Sequence, residues 1–177
     1  MARVLITGMS GTGKSTALRL LAARGHFTVD TDTDEWSRWV GLPDGSRDWI
    51  WREQAIAGLL AGHRTGSLFV AGCKTNQGQF YAQFDHIALL CATVEVLLAR
   101  IATRTDNPCG KRSDERSAIL EHLAAVEPLL RATATVEIDA SAPIVTVVQQ
   151  LEDLTRNPLD DRASGTTSQH GPHIAGR

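Results

Sequence analysis

The chain has 177 residues, 42% hydrophobic and 21% charged, the balance of an ordinary globular domain with enough material for one substantial core. Lys plus Arg number 18 against 20 for Asp plus Glu, so no overall charge points to nucleic acid or to an anionic membrane. No apolar run approaches the ~20 residues of a membrane span. Cys73, Cys91 and Cys109 are odd in number and far apart, which argues against a disulfide framework and for a reducing, cytoplasmic setting.

The first expected element is a short buried strand at Val4-Leu5-Ile6, so close to the N-terminus that no signal peptide is expected. It leads into Gly8-Met9-Ser10-Gly11-Thr12-Gly13-Lys14-Ser15, which reads G-x-x-x-x-G-K-S, then Thr16 and a run of good helix formers to Arg24. Strand, glycine-rich loop and helix, in that order, are what a phosphate-binding loop requires. Glycines let successive N–H groups converge on one anion, and the helix start adds unpaired N–H groups and a favourable dipole. Lys14 is expected to reach the β- and γ-phosphates of ATP, and the Ser15 hydroxyl to take a Mg²⁺ position. A turn that merely ends in Lys-Ser is disfavoured by the flanking strand and helix.

Gly25 is a helix stop, and Phe27-Thr28-Val29 reads as a second strand that delivers Asp30. Thr33 or Asp34 is placed to cap a helix through about Val40, with Trp36 and Trp39 as a helical pair. Gly41 to Ser46 is turn chemistry, and a longer helix is expected from about Asp48 to Leu60. Ser67 to Gly72 is a third buried strand opening into the polar loop Cys73 to Gly78, and His86 to Cys91 a fourth. Thr93 caps a helix from Val94 to about Thr105, interrupted at Asn107-Pro108-Cys109-Gly110, and Ser113 caps another through Leu130. Val136 to Asp139 is a fifth strand and Ile144 to about Leu154 a closing helix. From Asn157 the composition turns polar, and residues 157–177 read as a disordered tail behind a domain of residues 1–156.

Strands alternating with helices predict an α/β fold, a five-stranded parallel sheet with helices on both faces. Ligands in such sheets sit at the carboxyl ends of the strands. That rule gathers the phosphate loop, Asp30 and Asp32, Lys74 to Gln77, and Asp139 to Pro143 on one edge. Of the two spaced carboxylates, one is suited to hold the metal and the other to orient an attacking hydroxyl or take its proton. Capping and solvating the next element is the plainer role for these acids, above all for Asp34. Arg100 and Arg104, four apart on one helix face, repel each other unless an anion joins them, which suggests a mobile flap over the triphosphate. A solvated basic helix end is the alternative. Four tryptophans, at 36, 39, 49 and 51, crowd the acceptor side as packing or as a stacking surface for a ring.

Taken together, these residues resemble the small P-loop kinases: shikimate kinase, gluconate kinase and the nucleoside monophosphate kinases. The resemblance covers about residues 3–155. It is carried by the Gly8–Thr16 loop, Asp30-x-Asp32, Trp51-Arg52-Glu53, the Gly72 loop, the arginines 100, 104 and 112, and Ile138-Asp139. It implies a three-layer P-loop fold with a lid at about residues 104–116, and transfer of the γ-phosphoryl of ATP, with Mg²⁺, to a small-molecule acceptor. By the same resemblance, Asp30 and Ser15 hold the metal, while Asp32, Asp34, Arg52, Gly72 and Lys74 face the acceptor. Lys14, Asp32, Arg100 and Arg104 serve transfer, and Asp139 to Pro143 lies against adenine. The chain departs from shikimate kinase at Gly72-Cys73-Lys74, where that family has three glycines. Alternative readings are a nucleoside monophosphate kinase and a nucleotide-binding switch or ATPase.

Overall fold

The structure, a computed structural model, describes residues 1–103 and 113–156. Five strands, β1 (Ala2–Thr7), β2 (Phe27–Asp30), β5 (Ser67–Ala71), β6 (His86–Cys91) and β7 (Val136–Asp139), form one sheet in the order β2-β5-β1-β6-β7, and every pairing in it is parallel. Between β2 and β5 lie a two-stranded antiparallel hairpin, β3 (Ser37–Gly41) and β4 (Arg47–Trp51), and helix α2 (Glu53–Gly62). The remaining helices are α1 (Lys14–Ala23), α3 (Val94–Thr103), α4 (Ser113–Thr133) and α5 (Ile144–Asp153), with a 3-10 turn at Gln77–Gln83.

The apolar runs of the central strands face both ways, which is why they read as continuous rather than alternating. Val4 and Ile6 of β1 join Phe69, Leu90 and Ile138 under α1 and α5, where Leu21, Val148 and Leu151 are fully buried. Leu5 points to the opposite face and meets Val70, Ile87, and Ile56 and Leu60 of α2. A third cluster joins Met9 of the phosphate loop to Leu97 of α3 and to Leu123 and Leu130 of α4. This is the three-layer α/β architecture expected, with the sheet strands at or within a residue or two of their predicted limits.

The chain departs from expectation between residues 33 and 52. No helix starts at Thr33 or Asp34; the acidic stretch makes a single turn, with Trp36 and Ser37 N–H groups on the Thr33 carbonyl at 3.1 and 2.9 Å. The chain then enters the hairpin, and α2 begins at Glu53 rather than Asp48. Cross-strand pairing outweighs the helical spacing: Trp39 sits opposite Trp49, and Ser37 opposite Trp51. The Gly41–Ser46 turn closes this hairpin, with Leu42 N–H on the Ser46 carbonyl at 2.8 Å. Trp36 and Trp39 are therefore not a helical pair, and Arg52 stands at the N-terminal boundary of α2, not in its middle. Arg104, most of the predicted lid, and the tail after residue 156 lie outside the described residues.

Candidate functional site

Three glycines of the loop between β1 and α1, Gly8, Gly11 and Gly13, adopt positive φ. Gly8 adopts φ 142°, and a Cβ there would lie 2.4 Å from the Leu90 carbonyl oxygen, so the first turn of the loop runs against β6 with no room for a side chain. Gly13 adopts φ 92° in the left-handed region as the residue that starts α1. No side chain caps that helix and its first turn carries no acid, so its leading N–H groups are left for an anion. Thr12 is buried and ties the loop by its hydroxyl to the Met9 carbonyl at 2.9 Å.

Lys14 folds back over the loop. Its Nζ donates to the carbonyls of Gly8 at 2.6 Å and Met9 at 3.1 Å. Burial holds its ammonium below the ordinary value of 10.5; Cys73, Asp32 and Asp30 oppose that effect and Lys74 adds to it. A lysine so placed gains from any polyanion brought to the loop. Ser15 donates its hydroxyl to Asp30 Oδ2 at 2.8 Å, while Asp30 Oδ1 accepts the Asp32 N–H at 3.1 Å. Two hard oxygens side by side at a phosphate loop suit Mg²⁺, which takes one or two protein oxygens and completes its shell with phosphate and water.

A cleft of about 520 Å³ opens over the loop. Residues 10–16 form its floor, Asp32 one side, and Arg100, Thr103, Ala140, Ala142 and Ile144 the other. Arg100 Nη2 donates to the Ala140 carbonyl at 2.7 Å, which fastens α3 to the loop after β7. Asp139 does not line the cleft; its Oδ1 accepts the Ser141 N–H at 2.8 Å and shapes the turn. Pro143 starts α5 between the two lining residues Ala142 and Ile144. The stretch Asp139 to Pro143 marked from the sequence includes the lining residues Ala140 and Ala142, and Ile144 lies one residue beyond it.

A second polar cluster adjoins at Asp32. Lys74, whose side chain is 7% exposed, pairs with Asp32, which is 56% exposed. Beneath them, Thr31 donates to the Ala71 carbonyl at 2.8 Å and accepts the indole N–H of the fully buried Trp51 at 2.8 Å. A Cβ on Gly72 would lie 2.3 Å from the Thr31 hydroxyl and 3.2 Å from Trp51 Nε1, so this floor is closed to any larger residue. Asn76 grips the Trp51 backbone through both its N–H and its carbonyl, at 3.0 and 3.1 Å. Buried Gln77 bridges Thr7, Tyr81 and the Lys74 N–H at 3.2, 2.9 and 3.1 Å. Asn76 and Gln77 thus fix the loop that carries Lys74. A polar Lys-Thr-Asn-Gln run directly after a buried strand was the signal for them, but the sequence cannot say which of the four turn inward.

Arg52 is exposed. Its Nε donates to the carbonyls of Asp34 and Ser37 at 2.8 and 3.1 Å, and its terminal nitrogens make no hydrogen bond to the described residues. With Arg38, Glu53, Gln54 and Ala55 it lines a second cleft rather than the one over the phosphate loop. Asp34 contributes its carbonyl to Arg52. No cluster of three or more potential His, Cys, Asp or Glu metal ligands occurs, and no helix is long and apolar enough to cross a membrane, among the described residues.

A family profile described as AAA domain matches residues 4–121. A nucleotide-binding protein of Gluconacetobacter diazotrophicus is 30% identical over 169 residues, covering 93% of this chain but 45% of its own length, so the chain spans less than half of that relative. A shikimate kinase of Bacteroides thetaiotaomicron superposes with a TM-score of 0.62 at 20% identity, over 87% of this chain and 98% of its own. A gluconokinase of Sinorhizobium meliloti does so with a TM-score of 0.55 at 17% identity, over 93% and 98%. At these identities the likeness to solved structures is one of fold.

Proposed function

The chain belongs to the AAA-domain family and has the fold of the small P-loop kinases, and from that premise we infer that it transfers the γ-phosphoryl of ATP to a small-molecule acceptor. One observation carries this reading: the carboxylate of Asp32 lies in the wall of the phosphate-loop cleft and is at the same time paired with Lys74 of a second, closed-floored side. A switch or simple ATPase has no need of that second side.

In this reading the N–H groups of residues 10–16 and Lys14 hold the triphosphate. Ser15 and Asp30 hold Mg²⁺, which when bound neutralises charge on the β- and γ-phosphates. Asp32 orients the acceptor hydroxyl. The bond from the γ-phosphorus to the β-γ bridging oxygen breaks, a bond to the acceptor oxygen forms, and the hydroxyl proton passes to the Asp32 carboxylate. Because the transition state of such transfers is loose, a carboxylate that positions the hydroxyl suffices. Arg100, and Arg104 beyond it, meet the charge that develops on the transferred group. Arg52, with its plane fixed by Nε and its terminal nitrogens unbonded among the described residues, is suited to an anionic group of the acceptor.

A second reading draws on the G. diazotrophicus relative, a nucleotide-binding protein more than twice as long as the stretch matched: here bound nucleotide would govern a partner and no acceptor would be consumed. A screen of metabolite fractions for acceptor-dependent ADP release separates the two. ADP release that rises with one fraction and yields a phosphorylated product is the expected result; release indifferent to every fraction overturns the kinase reading.

A further inference from the structure

The transfer just described leaves the outer face of the β3–β4 hairpin without a task. Pairing of Ser37 with Trp51, Trp39 with Trp49 and Gly41 with Arg47 puts these residues on one face, since side chains alternate along a strand. The inner pair is fully buried at the acceptor floor, where Trp51 meets Thr31. The outer pairs open to solvent. The Trp39 and Trp49 rings lie 5.1 Å apart at a tilt of 47°, and Trp39 is 56% exposed. The Arg47 guanidinium lies 4.9 Å from the Trp39 ring centre, and Lys74 Nζ 5.8 Å from that of Trp49. Lys74 in turn pairs with Asp32. A single row, Arg47, Trp39, Trp49, Lys74 and Asp32, therefore runs from the hairpin tip to the carboxylate beside the phosphate cleft.

We propose that this row is a second acceptor subsite and that the acceptor is a sugar, its puckered ring seated on Trp39 and Trp49 with a hydroxyl reaching Asp32. The inference rests on the kinase reading and names its substrate class. Two features select the class. A flat base stacks on a parallel aromatic face, and two rings inclined at 47° offer it only one partner at a time. A puckered ring presents C–H bonds in more than one plane and fits a shallow V. The polar groups along the row are also matched to hydroxyls: one hydroxyl at the Lys74–Asp32 pair donates to the carboxylate and accepts from the ammonium, and Arg47 supplies donors at the far end. An exposed tryptophan contiguous with a reaction centre is more economically placed for a ligand than for solvent.

Calorimetric titration of the full chain with the methyl pyranosides of glucose and galactose and of glucuronic and galacturonic acid tests this, with glycerol, and adenosine in the presence of saturating MgADP, as controls and ADP release followed in parallel. At least one pyranoside should bind the wild type and Lys14→Ala alike, bind Trp39→Ala at least tenfold more weakly, and recover in Trp39→Phe. MgADP affinity should be unchanged in both Trp39 variants, which also shows that they are folded. The proposal is overturned if no pyranoside binds, if adenosine or glycerol binds instead, or if Trp39→Ala binds as the wild type does. Pyranoside binding without ADP release would keep this subsite and overturn the transfer; ADP release with glycerol, indifferent to Trp39→Ala, would keep the transfer and overturn this subsite.

Discussion

On the side proposed to bind the donor, the loop of residues 8–15 is tied through main-chain carbonyls: those of Gly8 and Met9 receive Lys14, that of Met9 also the Thr12 hydroxyl, and the Leu90 carbonyl blocks any side chain at Gly8. On the side proposed to take the acceptor, more of this work falls to side chains: Trp51 on Thr31, Asn76 on Trp51, Gln77 on Thr7 and on the Lys74 N–H. Main-chain geometry is tied to glycine positions and so leaves a spacing pattern in the sequence. Side-chain scaffolding can be built from many residue combinations, and it lets one phosphate loop serve different acceptors.

The two sides should therefore fail separately, and the largest failure is on the donor side. Lys14→Ala removes a charge and its two hydrogen bonds to loop carbonyls but no member of the apolar clusters, and should lower transfer by roughly a hundred- to a thousandfold, the value of ~3–4 kcal/mol in a transition state, while thermal unfolding stays close to wild type. Turnover near the wild-type rate in a folded variant would dissolve the distinction. Gly72→Ala strikes the other side. Its Cβ would meet the Thr31 hydroxyl at 2.3 Å, so Trp51 and Thr31 must shift, at a cost of about 1–3 kcal/mol of stability. Acceptor-stimulated ADP release should collapse while MgADP binding, measured by titration, persists; a parallel loss of both would mean that the sides share one scaffold.

A smaller effect is expected at Arg52. Arg52→Lys keeps the charge but loses the planar fork, and should raise the acceptor KM about tenfold with the KM for ATP little changed. Steady-state kinetics with both substrates varied decides it, and an unaltered acceptor KM would leave Arg52 a strut for the Asp34 and Ser37 carbonyls only. The smallest effect is protonic. Because burial lowers the Lys14 pKa in the folded chain, the unfolded chain holds a proton there that the folded chain lacks between that lowered value and 10.5. This contribution makes stability rise with pH across that window, the burial penalty being complete below it. Bound phosphates favour the ammonium, so MgADP binding should take up a proton in the same window and weaken as pH rises through it. Calorimetry in two buffers of different ionisation heat measures the uptake; identical binding heats in the two would refute the role of Lys14.

The sheet was legible because its strands are short apolar runs bounded by glycine and polar residues, as in Ser67 to Ala71 and His86 to Cys91. The hairpin was not. Trp36 and Trp39 lie three apart, which suits a helix, whereas Trp49 and Trp51 lie two apart, which suits a strand, and no local rule ranks one spacing above the other. What decided was the partner strand: Trp39 needs Trp49 across the pair, a contact that single-segment patterns do not contain. The turn residues Asp44 and Gly45 were visible, Gly45 with its φ of 84°, but a turn joins two strands as readily as two helices. In the same way Asp30 and Lys14 could be placed from spacing, while Asn76 and Gln77 owe their roles to which way a loop folds back.

The strand order also sets an order of assembly. In the hairpin, Gly41 pairs with Arg47 and Trp39 with Trp49, contacts closed within a few residues. β1, which carries the phosphate loop, lies at the centre of the sheet and pairs with nothing nearby: Ala2 joins Ser67, and Val4 joins His86. Local contacts close early and distant ones late. On a growing chain the tryptophan pair can therefore form while the glycine loop, made first, still waits for the Leu90 carbonyl against which it must turn.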